Sequence, residues 1–317
     1  MKKPVPVHCL LDCLASVLRE DGRFDSRPLY LGVWEAYFES NASGISYYSD
    51  QADPKDWLTR FHQIYGAAVH NWHHYPSGKA ANLKRLGEIM ENTVPQRFTL
   101  VMADLYFIPH ARQFRSRHIP HYFIVRGRTG QRWHIRDPYL DWEGDLSDSA
   151  MSEAYERGFT VDMRSAHPPD DSFIRQFFDV GTGPSPSRLI TELRNYVVRT
   201  IEKNDGAAPG SLFASVQDAG VIAKRLWGYS LVLHYFAEGG GYDPNVGSCA
   251  AGELAKEWER LLLMVARYDI ARGQVDLGPF LQRADRIDEW ERVVKGELIQ
   301  AYEHWRKVPR TKVKETP

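Results

Sequence analysis

The stretch 120–138 constrains the fold most, because it has the pattern of two paired strands. One apolar run begins at His121, a second ends at Asp137, and Gly130 lies between them. Glycine between two short apolar runs is typical of the tight turn of a β-hairpin. Residues on paired antiparallel strands are close neighbours, so this hairpin would let the carboxylate of Asp137 orient the imidazole of His121.

An amphipathic segment near the start of the chain predicts a helix that begins at Cys9. Its apolar run ends at Gly22, which is a predicted C-cap. Pro4 and Pro6 lie just upstream, and proline cannot extend a helix backward, so we expect Cys9 on the first turn. The apolar residues that recur at helical spacing are Leu10, Leu11, Leu14, Val17 and Leu18.

The order of Cys9, His121 and Asp137 along the chain is that of papain-like enzymes, in which a thiolate attacks a carbonyl carbon. A free thiol with a pKa of about 8.5 is mostly protonated at neutral pH, and a helix N-terminus together with an adjacent imidazolium lowers that value. The sequence therefore predicts a catalytic site with Cys9 as the nucleophile. The alternative is a small buried side chain without chemistry, which is the interpretation we favour for Cys13 and Cys249.

Four segments between residues 8 and 158 resemble the N-terminal domain of the butirosin-biosynthesis protein H family. That family is itself related in fold to papain-like cysteine peptidases. A helical C-terminal region, which the last third of this chain also predicts, fits the same family's layout. The four segments are His8-Cys9 with the helix and glycine that follow, 101–109, 118–127 and 135–138.

The resemblance implies an acyltransferase of secondary-metabolite biosynthesis that forms an amide. The family's namesake moves an acyl group from a carrier-protein thioester to an amine. Carried over by position, Cys9 is the acylated nucleophile, His121 is the general base and Asp137 is its orienting partner. The implied donor is a phosphopantetheine-linked thioester of a carrier protein or of coenzyme A, which is a substrate and not a bound cofactor. The expected partners are an acyl carrier protein and a small amine acceptor.

Further residues in these segments are weaker candidates for binding the substrate or supporting the site. His8 is not expected to be the base, because a residue adjacent in sequence to the nucleophile rarely presents its ring to the same sulfur. The others have no clear role, although a neighbouring strand is a suitable place for a supporting group. These weaker candidates are His8, Asp104, Tyr106 and His118.

The sequence departs from secretion-peptidase relatives at the oxyanion hole, where those proteins have a glutamine six residues before the cysteine. Lys3 occupies that position here, so the donors would be backbone amides, including that of Cys9, or another side chain. Two other functions remain open. The same three residues with water as the acceptor would make a peptidase or an amidase, and a chain that kept the fold without the chemistry would be a binding protein.

The composition is that of a globular enzyme. The chain has 317 residues, of which 43% are hydrophobic, and a formal net charge of −1. This charge gives no indication of binding to nucleic acid or to an anionic membrane, and three widely spaced cysteines do not make a disulfide framework. Because we find neither a run of about 18 apolar residues nor a signal-peptide pattern, we expect a cytoplasmic protein.

The element types change along the chain, which predicts an α+β fold in two domains. Residues 1–164 would form a papain-like catalytic domain, with the cysteine on an N-terminal helix and the histidine and aspartate on an antiparallel sheet. Within it, 145–158 is predicted as a surface helix. Breaker-rich stretches make 165–187 a predicted linker region. Residues 188–306 show four amphipathic faces of an all-α domain, which can cover one another or pair in a homo-oligomer, and 307–317 is a predicted polar tail.

Two groups of side chains suggest binding sites but have simpler explanations. His62, His70, His73 and His74 carry imidazoles that can bind a metal, yet they lack a companion carboxylate or cysteine at ligand spacing, so we expect no metal site. Arginines on the hairpin and before it are typical of a solvated face. A docking patch for an acidic carrier protein, or for its phosphopantetheine phosphate, is the functional alternative. These arginines are Arg112, Arg115, Arg117, Arg126, Arg128, Arg132 and Arg136.

Overall fold

The computed structural model describes residues 6–33, 37–47, 55–181, 187–202, 211–238, 241–270 and 276–307. In chain order the strands are β1 Glu39–Asn41, β2 Gly44–Ser46, β3 Ala68–Asn71, β4 Arg97–Asp104, β5 Pro120–Thr129, β6 Arg132–Asp137, β7 Trp142–Ser147 and β8 Tyr155–Asp162. The α-helices are α1 Cys9–Asp21, α2 Lys55–Tyr65, α3 Gly78–Glu91, α4 Asp148–Ala154, α5 Asp171–Gly181, α6 Arg188–Glu202, α7 Ser211–Val216, α8 Asp218–Ala223, α9 Trp227–Ala237, α10 Pro244–Ile270 and α11 Gly278–Trp305. The predicted α+β class is confirmed.

Six of these strands form one antiparallel sheet in the order β3-β8-β4-β5-β6-β7. The predicted hairpin is confirmed as β5 and β6, whose register pairs Val125 with Ile135. Side chains alternate between the two faces along a strand, so His121 shares a face with Val125, and Asp137 shares that face with Ile135. The hairpin therefore brings His121 and Asp137 to one side of the sheet.

Helix α1 packs against β5 and buries its apolar stripe there. Leu10, Leu14 and Leu18 are fully buried, and burial of such a side chain contributes about 1.5–3 kcal/mol relative to exposure. The helix ends at Gly22, which has φ 73° in the left-handed region that glycine adopts without steric cost. The predicted C-cap is thus confirmed, and Cys9 lies at the opposite end of the helix, on its first turn.

The chain divides into two compact units, Met1–Leu29 with Asp53–Arg175, and Tyr30–Ala52 with Gln176–Pro317. The second unit contains the helical C-terminal region that the sequence predicts. Its helices α9, α10 and α11 pack on one another. Helix α11 buries an apolar stripe at helical spacing, which consists of Phe280, Ala284, Ile287, Val294, Leu298, Ala301 and Trp305.

The short hairpin of β1 and β2 belongs to this second unit and contacts α7. A close approach of two backbones occurs at Gly44, which has φ 130°. A methyl group at this position would lie 2.0 Å from the carbonyl oxygen of Ser215. Glycine is therefore required here both for its backbone conformation and for the lack of a side chain.

The structure departs from the sequence predictions in three segments. The surface helix predicted over 145–158 is the end of β7, the short helix α4 and the start of β8. Its last part is strand because β8 lies between β3 and β4 in the sheet, where backbone pairing outweighs helical spacing. The predicted linker 165–187 contains α5, which buries Ile174 and Phe178. The segment Tyr30–Ala52 belongs to the second unit, whereas the sequence places it in a continuous domain 1–164.

The predicted polar tail 307–317 lies, apart from Lys307, outside the described residues. No helix in the described part of the chain has both the length and the apolar content needed to cross a membrane.

Candidate active site

The first turn of α1 holds Cys9 in a half-buried position. The residue before it, His8, is the N-cap and has extended backbone angles, φ −159° and ψ 126°. The carboxylate of Asp12 reaches back over this turn. Its Oδ2 accepts hydrogen bonds from the backbone N–H of Val7 at 3.0 Å and of His8 at 3.2 Å. These bonds fix the entry into the helix and therefore the place from which the sulfur projects.

His121 and Asp137 form a buried pair on the hairpin. Nε2 of His121 donates to Oδ2 of Asp137 at 2.7 Å, and both side chains are almost completely shielded from solvent. The backbone N–H of Leu140 donates to the other carboxylate oxygen, Oδ1, at 3.0 Å. The tight turn after β6 thus holds the carboxylate, and the carboxylate holds the imidazole.

The side chain of Cys9 lies close enough to the imidazole of His121 to help raise the pKa of the ring. Since Asp137 takes Nε2, the nitrogen that remains for the sulfur is Nδ1. The structure therefore brings the three predicted catalytic side chains into one chain of contacts, although 112 positions separate Cys9 from His121 in the sequence. Such a chain allows a proton to pass between sulfur and ring while the carboxylate fixes the tautomer.

Burial and charge act in opposite directions on the pKa values of this pair. Burial alone would lower the pKa of His121, but the negative charge of Asp137, its hydrogen bond to the ring and the nearby side chain of Cys9 raise it above its usual range. Burial alone would raise the pKa of Asp137, but the charge of His121 and the N–H groups around the carboxylate hold it below its usual range. The pair is therefore an imidazolium and a carboxylate at neutral pH.

The other two cysteines have different surroundings. Cys13 is fully buried, and its Sγ donates to the carbonyl oxygen of Tyr122 at 3.4 Å. Burial, together with the negative charges of Asp137, Cys9 and Asp12, raises the pKa of the Cys13 thiol well above its usual value. Cys249 is exposed on α10, so our expectation that it is buried is wrong: it lies outside the stripe that this helix packs inward.

A second histidine, which the sequence did not indicate, faces the same carboxylate. Nε2 of His110 lies 3.6 Å from Oδ2 of Asp137, a distance beyond that of a hydrogen bond. This nitrogen is buried and has no hydrogen-bond partner among the described residues. The ring of His110 stacks on Trp142, with centroids 3.7 Å apart and planes within 5°. His110 lies in a loop, where no strand or helix pattern could have predicted its position.

Three of the weaker candidates form a cluster at the end of β4 and before β5. Oδ1 of Asp104 accepts the backbone N–H of Tyr106 at 3.0 Å and of Ile119 at 3.1 Å, and Oδ2 bonds to Nδ1 of His118 at 2.5 Å. The ring of His118 stacks on Tyr106 with 4.2 Å between centroids, and its side chain is 67% exposed. Asp104 thus shapes the loop that leads to His121, while His118 is exposed and stacks on the half-buried ring of Tyr106.

The remaining candidate, His8, lies at the entrance of α1. The residue is buried, and its ring is tilted against that of Trp57, with 5.8 Å between ring centroids. It caps the helix through its backbone, and its side chain makes no capping hydrogen bond. Lys3, which stands where the peptidase relatives have an oxyanion-hole glutamine, lies outside the described residues.

Arginines of the hairpin are paired with carboxylates of the same unit. Arg126 pairs with Glu20, Arg128 with Asp148 at 2.8 Å, and Arg136 with Glu143 at 3.3 Å. Pairs of this kind are typical of the solvated face that we expected. Two of the histidines considered for a metal have other partners, since Nδ1 of His73 bonds to the hydroxyl of Tyr155 at 2.7 Å and Nδ1 of His74 bonds to the hydroxyl of Ser77. Over the residues that the structure describes, we find no group of metal ligands.

The fold and the site define an α+β protein in which a helix-start cysteine meets a buried histidine–aspartate pair on an antiparallel sheet, and in which a helical region follows. The chain belongs to the DUF6005 family: the DUF6005 N-terminal domain matches residues 4–165 and the DUF6005 C-terminal domain matches residues 172–317. The butirosin-biosynthesis protein H family, expected from short segments, is not the family that these matches name.

A curated relative covers almost the whole chain. This chain is 22% identical over 315 residues to petrobactin synthase of Bacillus anthracis, a match that spans 96% of each protein. The similarity therefore includes both the sheet-bearing and the helical regions. The name of this distant homologue describes a biosynthetic enzyme.

Proposed function

We propose that this chain is an amide-forming acyltransferase, which moves an acyl group from a thioester to an amine through a covalent acyl-Cys9. The observation that carries the proposal is that the imidazole of His121 is hydrogen-bonded to Asp137 and lies beside the side chain of Cys9. A thiol beside an imidazole that a carboxylate orients is suited to nucleophilic catalysis. The placement of these groups on a helix start and an antiparallel sheet supports a papain-like identity for the first unit.

In the first step the thiolate of Cys9 attacks the carbonyl carbon of the thioester. A new bond forms between carbon and Sγ, and the bond from carbon to the donor's sulfur breaks. The departing thiolate takes the proton from the imidazolium of His121, so the donor leaves as a free thiol and His121 becomes neutral. Asp137 keeps its charge throughout and holds the ring with Nδ1 toward the sulfur.

In the second step a neutral amine attacks the acyl group on Cys9. The amine nitrogen forms the new bond to carbon and gives its proton to His121, and the bond from carbon to Sγ breaks. Cys9 thus returns to the thiolate and His121 to the imidazolium, ready for another donor. The product is an amide, and the formation of a new bond between two substrates is in keeping with the relative's being called a synthase.

Attack on the carbonyl carbon places a negative charge on the carbonyl oxygen in both steps, and hydrogen-bond donors are needed to stabilise this oxyanion. The first N–H groups of an α-helix have no acceptor within that helix, and Cys9 opens α1. We therefore assign the backbone amide of Cys9 as one oxyanion donor. The positive end of the helix dipole acts in the same direction.

The proposed donor is a thioester on the phosphopantetheine arm of an acyl carrier protein, or on coenzyme A. A long flexible arm suits a nucleophile that is half-buried at the start of a helix, because the carrier itself need not enter the site. The proposed acceptor is a small amine. No bound cofactor takes part in either step.

The proposal is tested by intact-protein mass spectrometry. The purified chain is incubated with an acyl thioester, and we expect a mass increase of one acyl group that Cys9→Ala cannot acquire. Amines are then added, and the yields of amide and of free acid are compared. Amide that depends on the amine supports the acyltransferase. Rapid loss to free acid whatever the amine would assign the same residues to a hydrolase, and no adduct with any donor would favour a binding protein.

A further inference from the structure

The buried nitrogen of His110 is an unusual feature of the site. A buried N–H without a partner costs about 1–3 kcal/mol, and Nε2 of His110 has no hydrogen-bond partner among the described residues. The acceptor in front of it is Oδ2 of Asp137 at 3.6 Å. A movement of about 0.6 Å would bring the two atoms to a normal hydrogen-bond distance of about 3.0 Å.

The carboxylate of Asp137 can accept one more hydrogen bond from His110. Oδ1 accepts the N–H of Leu140, and Oδ2 accepts Nε2 of His121. Each carboxylate oxygen can accept about two hydrogen bonds, so Oδ2 can take a second donor without losing His121. The ionisable groups that face Asp137 are His121, His110 and the buried thiol of Cys13.

The position of His110 depends on the same strands that position Asp137. Trp142 on β7 is the direct partner of Asp137 on β6, and residues opposite each other on paired strands project from the same face. The indole of Trp142 therefore lies on the same face of the sheet as the carboxylate of Asp137, next to it. The ring of His110 stacks parallel to this indole. A small movement of the ring within its own plane toward Oδ2 would keep the stacking contact, whereas a rotation of the ring out of that plane would break it.

We propose that His110 is a positioning residue for the catalytic pair: it donates Nε2–H to Oδ2 of Asp137 and keeps this carboxylate turned toward His121, with Trp142 as its support. This inference rests on the proposed function. In that reaction His121 alternates between imidazolium and neutral imidazole, while Asp137 stays negative in a buried place. A second donor stabilises the carboxylate during the interval in which His121 carries no charge. No bond to hydrogen is broken at His110 in any step.

Two substitutions of His110 separate donation from packing. His110→Phe keeps an aromatic ring for the stack on Trp142 and removes the donor. His110→Gln removes the aromatic ring and supplies an amide N–H at about the position of Nε2. A residue that only packs would tolerate phenylalanine better than glutamine, whereas a donor would tolerate glutamine better than phenylalanine.

The first measurement is the rate at which iodoacetamide alkylates Cys9 at neutral pH, read by mass spectrometry of the peptide that contains it. We expect His110→Phe to slow this reaction about tenfold, as for loss of a hydrogen bond to a charged group, and His110→Gln to stay within about threefold of the original protein. Equal rates in the original protein and His110→Phe, or a slower reaction in His110→Gln than in His110→Phe, would overturn the proposal.

The second measurement needs neither a reactive Cys9 nor a variant that folds. Nitrogen-15 NMR of the labelled original chain reports which nitrogen of His110 carries hydrogen. A proton on Nε2 supports the proposal, and a bare Nε2 with the proton on Nδ1 overturns it. If acyl transfer fails while Nε2 of His110 is protonated, the proposed function is wrong and the contact with Asp137 still stands.

Discussion

His121 and Asp137 are joined by a hydrogen bond of 2.7 Å in a place that solvent hardly reaches. The same sheet contains a second pair of the same residue types, His134 and Asp145, whose side chains are 43% and 35% exposed. The two pairs differ mainly in burial and in the presence of a sulfur. A buried pair has little water to compete for its bond, so its orientation of the ring is much firmer than that of the exposed pair.

Asp137→Asn should lower the rate of Cys9 acylation by about 10²- to 10⁴-fold, because an amide neither carries the charge that stabilises the imidazolium nor fixes the tautomer. Asp145→Asn is the matched control, since it removes the carboxylate of the exposed pair, and we expect a change below about twofold. The measurement is the rate at which the acyl-protein mass appears. Similar losses in both variants would show that the buried pair has no special part in the reaction.

Cys9→Ala should abolish the acyl adduct, whereas Cys13→Ala should retain most of it. The reason is that Cys13 is fully buried, bonds to the carbonyl of Tyr122 and has a raised thiol pKa, so it stays protonated. Intact-mass spectra of both variants after incubation with a thioester check this. Cys249→Ala serves as the control for labelling of an exposed thiol. Equal losses in the Cys9 and Cys13 variants would mean that the nucleophile is wrongly assigned.

The stability of the protein should fall as the pH rises above neutral, in part because of His121. Its pKa is raised above the usual 6.5 in the folded state, so this state binds the proton more tightly than the unfolded chain. The resulting stabilisation is fully present below about 6.5 and is lost as the pH rises through the raised pKa. We expect the free energy of unfolding in urea to decline more steeply between about pH 7 and 9 in the original protein than in His121→Gln. Parallel curves would contradict the assignment.

Substitution of two neighbouring residues on α11 by alanine should change the free energy of unfolding by very different amounts. Leu298 is fully buried and Ile299 is 47% exposed. Leu298→Ala should lower the free energy of unfolding by about 2–5 kcal/mol, because it removes apolar contacts and leaves a cavity. Ile299→Ala, one position away, should change it by no more than about 0.5 kcal/mol. Urea denaturation followed by circular dichroism measures both. A small effect at Leu298 would mean that this helix packs less firmly than its contacts indicate.

Regular periodicity explains which parts of the fold the sequence could predict. Helix α1, the hairpin of β5 and β6, and the stripe of α11 each have apolar residues at the spacing of their own element, together with a glycine or an aspartate–proline step at an end. For these elements local pattern and final structure agree. The relation between Cys9, His121 and Asp137 could be inferred because each stands at the end of such an element.

Other parts depend on tertiary contacts that a local pattern does not contain. The segment predicted as a helix over 145–158 ends in β8, whose place between β3 and β4 supplies partners on both edges. The hairpin of β1 and β2 joins the second unit through the approach of Gly44 to Ser215, which are far apart in the sequence. His110 reaches Asp137 from a loop, and its position follows from the stack on Trp142.

The contacts of Asp12 have a practical meaning for anyone who redesigns this protein. Because its carboxylate accepts hydrogen bonds from the amides of Val7 and His8, the stretch 7–12 forms a closed loop that contains Cys9. If this loop were grafted onto the beginning of another amphipathic helix, the thiol should project in the same direction relative to the new helix. The imidazole and its carboxylate have no such portability, since two strands and a turn must be rebuilt to hold them.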